Sequence, residues 1–565
     1  FGSSAHVQSQ PVVPSPRTER VMFDSRKDLF GLIGAASAGV AAVILLRRAL
    51  RKDDPGAIPT LKLPRGSFHP MQALISAGKD NANYGFGRLI LQGCDPKIGV
   101  AQLSILGQST VLLRDPDLVK EVLTKNHQAG GGFGKSFKGS PFDPLIDKTF
   151  GRGLFFAEDQ DKVWTVAHKI LSKPFSHRGV VSMVPTMCVQ ADKLVAALDQ
   201  DVGSGRCVYI YDYMVKMALE TIAVCSMGTE LSCFNSRENH PFPVAFQKVM
   251  DAIFDLLNVP PQLWSWCFWT MRKMSRAVNT MNGIIDDIVQ KRLRGETCSV
   301  TKNADLLDIM LGDGSGAKLD TENIRSQILT FLFAGHDSTA AAMSSLIVFL
   351  LANPRVEAKV VEEIRQVVGE KQVLHAHHLP KLTYLDWCLK ETLRLLPPVA
   401  NYQRMSFEED MLLGGKWRLE RFQPILVDVF TLHMDPETWG KDAAEFIPER
   451  WEKGPPHPYS YMPFAFGPRS CIGKEFSLLE QKIVAVKLLQ NFVLRSPAAG
   501  SWRPRRGSVL IKASAPLPQP VLGIDAEFNP QQFFAGASVP VTLHERSGRL
   551  ARRPTETPTI GLGGA

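Results

Sequence analysis

The chain has 565 residues, 44% hydrophobic and 21% charged, a globular composition with enough apolar mass for a large core. Its net charge of +9 comes from acidic and basic residues interspersed along the chain, which fits solubility, membrane-surface attraction or docking to an acidic protein and not a nucleic-acid footprint. Nine scattered cysteines without a Cys-x-x-Cys pair argue against a structural zinc site, and their odd number in a large chain points to a reducing compartment.

The chain opens on Phe1, so a missing N-terminal piece is expected, and residues 1–28 read as a flexible segment. Residues 29–46 carry no charge, the lower edge of transmembrane length. They end at Arg47 and Arg48 instead of a small-residue cleavage site, which favours a single-pass anchor over a signal peptide. Basic residues lie on both sides (Arg17, Arg20, Arg26 and Lys27 upstream; Arg51 and Lys52 downstream), so charge orients the segment only weakly. The expected location is a membrane, endoplasmic reticulum first and an organelle envelope second, with the body facing the cytosol. Residues 47–61, with Pro55 and Pro59, read as a stiff linker.

Residues 62–547 read as one continuous domain, mainly α with a small β subdomain, and residues 548–565 as a disordered tail. A small sheet is expected over 100–113, and a helix over 116–127 with Asp115 as N-cap and Pro116 in its first turn. The glycine-rich stretch 130–144 reads as a mobile loop. Helical spacing returns from Asp161, where Trp164 and His168 share a face at i and i+4. A long helix is expected over 321–352, capped by Asp320 and stopped by Asn353-Pro354. His336 and Asp337 at its middle argue for a buried core helix, because an Asp there costs about 2.5–3.5 kcal/mol on membrane-insertion scales. Glu391 and Arg394 pair at i and i+3 on a further helix, and short strands and loops follow from 399 to 471. A helix over 474–491 starts directly after Cys471, placing the sulfur near a positive dipole end. Residues 516–539 read as a loop and 540–546 as the last strand.

Phe464-Ala-Phe-Gly467-Pro-Arg469-Ser-Cys471-Ile-Gly473 resembles the heme-thiolate loop of cytochromes P450. Three further segments match that family in order: Trp164…His168, Ala334-Gly335-His336-Asp337-Ser338-Thr339, and Glu391…Arg394 followed by Arg450-Trp451. The resemblance implies a P450 fold holding heme b, with Cys471 as axial ligand, Phe464 and Gly467 shaping the loop, and Trp164, His168, Arg404 and Arg469 meeting the propionates. It implies a structural triad of Glu391, Arg394 and Arg450. It makes Asp337, Ser338 and Thr339 the catalytic proton relay, with Ser338 where threonine is usual. Serine keeps the hydroxyl but lacks the restraining methyl, so a leakier relay is expected. Small Ala334 and Gly335 would leave room for O₂. By analogy Phe155, Phe333, Ala334, Val399 and Ala400 line an apolar pocket.

The stretches 153–176 and 319–340 resemble self-sufficient fatty-acid hydroxylase P450s, which carry a fused flavin reductase. The chain after Cys471 is too short for one, so electrons are expected from a separate NADPH–cytochrome P450 reductase or equivalent, with NADPH acting only indirectly. The expected function is monooxygenation of a lipophile, a fatty-acid-like chain first and a sterol or terpenoid second. The alternatives are a P450-fold isomerase or lyase acting on lipid hydroperoxides and a non-enzymatic heme protein.

Overall fold

The computed structural model describes residues 56–64, 85–495 and 540–545, except 106–107, 126–131, 138–142, 160, 203–207, 258, 260, 301–303, 313–318 and 371. The chain divides into Phe1–Ala57 and Ile58–Ala565. The expected N-terminal segment, the anchor at 29–46, most of the linker, the loop at 516–539 and the tail lie outside the described residues. The body begins earlier than residue 62. Gln102 donates to Pro59 O at 2.8 Å and Leu61 to Gln102 O at 2.9 Å, while Ile58 and Leu61 are buried, so 58–61 pair with the sheet and are not linker.

Helix α1 (Gly85–Gly93) leads into the hairpin β1 (Val100–Ile105) and β2 (Gln108–Leu113). Asp115 caps α2 (Pro116–Thr124) by accepting from the N–H groups of Asp117 and Leu118. The stretch expected to be a mobile loop holds β3 (Phe133–Gly134) and the first residues of α3 (Asp143–Thr149). Partners far along the chain impose this order, with Gly134 pairing opposite Met405. Helices α4 (Lys162–Leu171) and α5 (His177–Asp199) start at the side-chain caps Asp161 and Ser176. Strand β4 (Val208–Tyr209) runs into α6 (Ile210–Met227), followed by α7 (Pro241–Leu257), α8 (Phe268–Leu293) and α9 (Leu306–Leu311).

Helix α10 (Thr321–Ala352) begins at Asp320, whose carboxylate accepts from Asn323 N–H at 2.7 Å, and stops at Asn353 before Pro354. Both ends agree with the sequence expectation. α10 and α5 are long and apolar enough to cross a membrane, but the apolar window of α10 is 78% buried within the protein, as a core helix is. Gly335 makes that packing possible. A Cβ there would lie 2.8 Å from Ile222 Cγ1 of α6, so the missing side chain admits a neighbouring helix.

Helices α11 (Pro354–Val367) and α12 (Thr383–Leu395) precede β5 (Asn401–Ser406), β6 (Met411–Leu413), β7 (Trp417–Leu419) and β8 (Pro424–Asp428). Two short helices within this expected strand-and-loop region, α13 (Val429–Met434) and α14 (Pro436–Trp439), are capped by Asp428 and Asp435. α15 (Lys474–Asn491), β9 (Phe492–Arg495) and β10 (Pro540–Glu545) complete the described elements. The larger sheet has the order β1-β2-β8-β5-β3, antiparallel except for the β2–β8 pair. Its buried apolar residues fall mainly into two clusters, one with Val100, Val111, Leu113, Ile425 and Val427 and the other with Ala101, Leu103, Leu112 and Leu426, and the helices enclose a larger cluster that runs from Leu145 to Leu494.

Candidate active site

The loop from Phe464 to Gly473 is a closed turn. Cys471 N–H donates to Phe464 O at 2.9 Å, drawing the two ends together. Gly467 adopts φ +76°, and a Cβ there would sit 2.0 Å from Leu123 O, so no other residue fits against α2. Cys471 retains exposed surface, yet burial pushes its thiol pKa up against the opposing pulls of the Gly473 N–H and Lys474. A residue that is both accessible and enclosed faces an internal cleft. Gly473 is the N-cap of α15, so the sulfur lies at that helix's positive end.

The loop is braced from the sheet and from a buried charged core. Tyr402 of β5 donates its hydroxyl to Met462 O and accepts from Ala465 N–H, both at 3.0 Å. Met462 N–H donates to His433 Nε2 at 2.9 Å, and His433 Nδ1 bonds Arg394 O at 3.0 Å. Burial drives the His433 pKa down to about 3, so the ring stays neutral with its proton on Nδ1. Arg394 grips Glu391 with two bonds of 2.8 and 2.9 Å, and Arg450 Nε and Trp451 Nε1 join the same carboxylate at 2.9 and 3.0 Å. The remaining Arg394 donors reach His433 O, Ala443 O and Glu445 O. The structure thus assembles the expected triad and extends it to the cysteine loop through His433 and Tyr402, two residues the sequence did not single out.

A cationic cradle lies beside the loop. Arg469 pairs with Asp159, donates to Leu154 O and Ala157 O, and lies 4.1 Å from the Trp164 ring centre. His168 stacks on Trp164 at 4.9 Å. Burial, opposed by Asp159 and reinforced by Arg404, lowers the Arg469 pKa to about 10. Burial also lowers Arg404, and it lowers Lys135 strongly, with both arginines adding to the effect on Lys135. Burial and Arg469 hold His168 below its ordinary value. Lys135 donates to Phe155 O, and its ammonium lies 3.9 Å from that ring's centre. Trp164, His168, Arg404 and Arg469 therefore come together as the sequence implied, and the structure adds Lys135 and Asp159. Three crowded cations around Asp159 favour further carboxylates, and this charge surplus fits the two propionates of heme.

On α10 the three expected relay residues take separate partners. Asp337 is buried and accepts from the Tyr211 hydroxyl of α6. Ser338 Oγ returns to Ala334 O at 2.7 Å. Thr339, also buried, bonds Ser477 Oγ of α15 at 3.0 Å, and Gln481 donates to that same oxygen at 2.9 Å. That arrangement makes Thr339 a tie between helices. Ile222 occupies the gap left by the missing Gly335 side chain, so this position serves helix packing.

Phe333 is ringed by phenylalanines. Phe155 meets it edge-on at 5.6 Å, Phe246 of α7 stacks at 5.5 Å, and Phe150 and Phe156 approach to 5.8 Å. Phe155 remains 46% exposed, so its ring presents an apolar face to open space. Ala334 and Val399 are half-buried. Ala400 sits instead in a separate cluster with Val348, Leu396 and Phe430, and its carbonyl accepts from Val429 N–H, which is a packing position. Phe150 and Phe156 lie six residues apart on the stretch that also carries Phe155, whereas Phe246 lies on α7, and no local spacing links it to them.

This fold, with a thiol loop, a cation cradle and an acid–hydroxyl helix, defines a heme-thiolate protein. A family model for cytochrome P450 matches residues 97–517, and the chain belongs to that family. It is 30% identical over 475 residues to a self-sufficient cytochrome P450 monooxygenase of Phanerodontia chrysosporium, covering 81% of this chain and 43% of that one. It is 31% identical over 451 residues to a bifunctional cytochrome P450/NADPH–P450 reductase of Bacillus cereus, covering 78% and 40% respectively. The chain therefore spans about two fifths of the length of these relatives. Among solved structures, the cytochrome P450DA heme domain superposes with a TM-score of 0.71 at 25% identity, covering 87% of this chain and 98% of that domain.

Proposed function

We propose that this protein is a monooxygenase that inserts one oxygen atom from O₂ into a lipophilic substrate, with a fatty-acid-like chain favoured over a sterol or terpenoid. The phenylalanine ring around Phe333 carries this reading, because it places apolar surface beside the acid–hydroxyl pair of the same helix. Heme, when bound, supplies oxygen activation, with Cys471 as its thiolate ligand and Lys135, Arg404, Arg469, Trp164 and His168 around its propionates. The phenylalanines exclude water and hold an alkyl chain through apolar contact. Asp337, positioned by Tyr211, and Ser338 hold and pass protons at the carboxyl and hydroxyl oxygens.

Electrons come from an NADPH–P450 reductase activity, with NADPH acting only indirectly. Several relatives are bifunctional cytochrome P450/NADPH–P450 reductases, which supports a donor of this chemistry. The segment at 29–46 anchors the protein to a membrane, with the endoplasmic reticulum favoured.

The test combines the purified protein with a reductase, NADPH and a long-chain fatty acid. Hydroxylated product, and a reduced-CO thiolate band absent from Cys471→Ser, are expected. Rapid consumption of a fatty-acid hydroperoxide without NADPH, and no oxygenation with it, would establish the isomerase or lyase reading instead.

A further inference from the structure

Phe155 is the exposed member of the phenylalanine group around Phe333, and the backbone on both sides of it is fixed. Leu154 N–H donates to Gln327 Oε1 of α10 at 2.8 Å, while Phe156 N–H and Ala157 N–H both donate to Gly153 O, at 2.9 and 2.8 Å. With the backbone held, the direction of the Phe155 ring is left to its side-chain torsions. That direction decides how much of the space beside Phe333 stays open to an alkyl chain.

Lys135 limits those torsions. Its ammonium donates to Phe155 O and lies 3.9 Å from the centre of the same residue's ring, so one cation holds the carbonyl and the ring face of a single residue together. Phe156 and Phe333 meet that ring edge-on at 4.9 and 5.6 Å, contacts that pack the ring without a hydrogen bond to fix it. The lysine starts from a base strapped to the same loop. Lys135 N–H donates to Asp159 Oδ2 at 2.7 Å, and Asp159 N–H returns to Lys135 O at 3.3 Å. Ser136 Oγ and Phe137 N–H both donate to Glu158 Oε1, at 3.0 and 3.2 Å. Burial, Arg469 and Arg404 oppose the charge on Lys135, and Asp159 supports it. The electron-rich carbonyl and ring face add to the supporting side.

We propose that Lys135 is a positioning residue for selectivity: it holds the Phe155 ring in one orientation, and that orientation sets which carbon of a bound alkyl chain is oxidised. The choice of carbon rests on the monooxygenase reading, whereas the hold on the ring does not. The selecting residue thus lies outside the apolar pocket, in the cation cradle, and a change there alters the product without replacing a phenylalanine.

The test uses the full heme-loaded chain with a reductase, NADPH and palmitic acid, and reads the ratio of hydroxylated positional isomers. Lys135→Met, which removes both contacts, should shift that ratio a few-fold. Lys135→Arg, which keeps a cation and a donor, should stay close to the parent. In a Phe155→Ala background Lys135→Met should shift the ratio no further, because the ring it acts through is gone. Phe155→pentafluorophenylalanine keeps Lys135 and the ring's outline but reverses the polarity of its face. It should shift the ratio as well, and it decides the matter if Lys135→Met fails to load heme. Fluorine NMR of the carbon monoxide complex, with 4-fluorophenylalanine at position 155, reads the ring directly, and Lys135→Met should move or split its resonance. An unchanged ratio or resonance in Lys135→Met, or an equal shift in the Phe155→Ala background, overturns the proposal. A parent that makes no hydroxylated acid refutes the monooxygenase reading, and the resonance still decides the hold on the ring.

Discussion

In the proposed proton relay, Ser338 is the residue whose identity bears most directly on turnover. Its hydroxyl is committed to Ala334 O at 2.7 Å, and without a β-methyl it can leave that bond by simple rotation about χ1. Asp337, one position away, is turned about 100° around the helix and secured to Tyr211. In the proposed relay, proton delivery relies on a hydroxyl with rotational freedom next to an acid without it. Ser338→Thr should lower hydrogen peroxide released per NADPH by a few-fold with little change in substrate affinity, and Ser338→Ala should raise it. Peroxide yield measured against product formed checks both. The acid–hydroxyl pair was legible because its residue types lie together in the chain. Tyr211, 126 positions from Asp337, could not be read that way. Lys135 and Asp159 were equally hidden, since a lysine in a glycine-rich stretch and one acid among several have no local signature.

At the scale of elements, legibility followed locality. Both ends of α10 are set by Asp320 and by Asn353-Pro354, within one turn of where they act. β3 was misread as loop because its order comes from pairing with β5, far along the chain. α13 and α14 were missed because each is a turn or two long, with periodicity too brief to register. The charged core shows the energetic side of such long-range assembly. Glu391 holds Arg394 and Arg450 and receives Trp451 Nε1 and Ile447 N–H. Glu391→Ala strands a guanidinium with 0% side-chain exposure and should cost about 3–5 kcal/mol. Because Arg394 connects through His433 to Met462, the same variant should also lose heme occupancy. Denaturant unfolding and the ratio of heme absorbance to protein absorbance read these two effects separately, and retained stability with full occupancy would refute the coupling.

For the molecule as a whole, Asp428 ties stability to pH. It sits fully buried where β8 meets α13, accepting from Thr431 N–H and Oγ1 at 2.7 and 2.9 Å. Burial raises its pKa to about 7, partly offset by those two bonds. The folded state therefore retains a proton that the unfolded chain releases above its ordinary carboxyl value near 4. This group's contribution is complete below about pH 4 and is lost as the pH climbs through about 7. Asp428→Asn keeps an acceptor for the cap and removes the titration. The variant should gain thermal stability relative to the parent at pH 7–8 and lose that advantage toward pH 4. Melting curves across this range check the sign.

The braces of the cysteine loop, Tyr402, His433 and Arg394, share no residue with the phenylalanines around Phe333. One set braces the loop that carries the sulfur, and the other lines the proposed substrate pocket. Mutational drift can reshape the second without dislodging the first, so descendants of this protein can change diet while keeping the same engine.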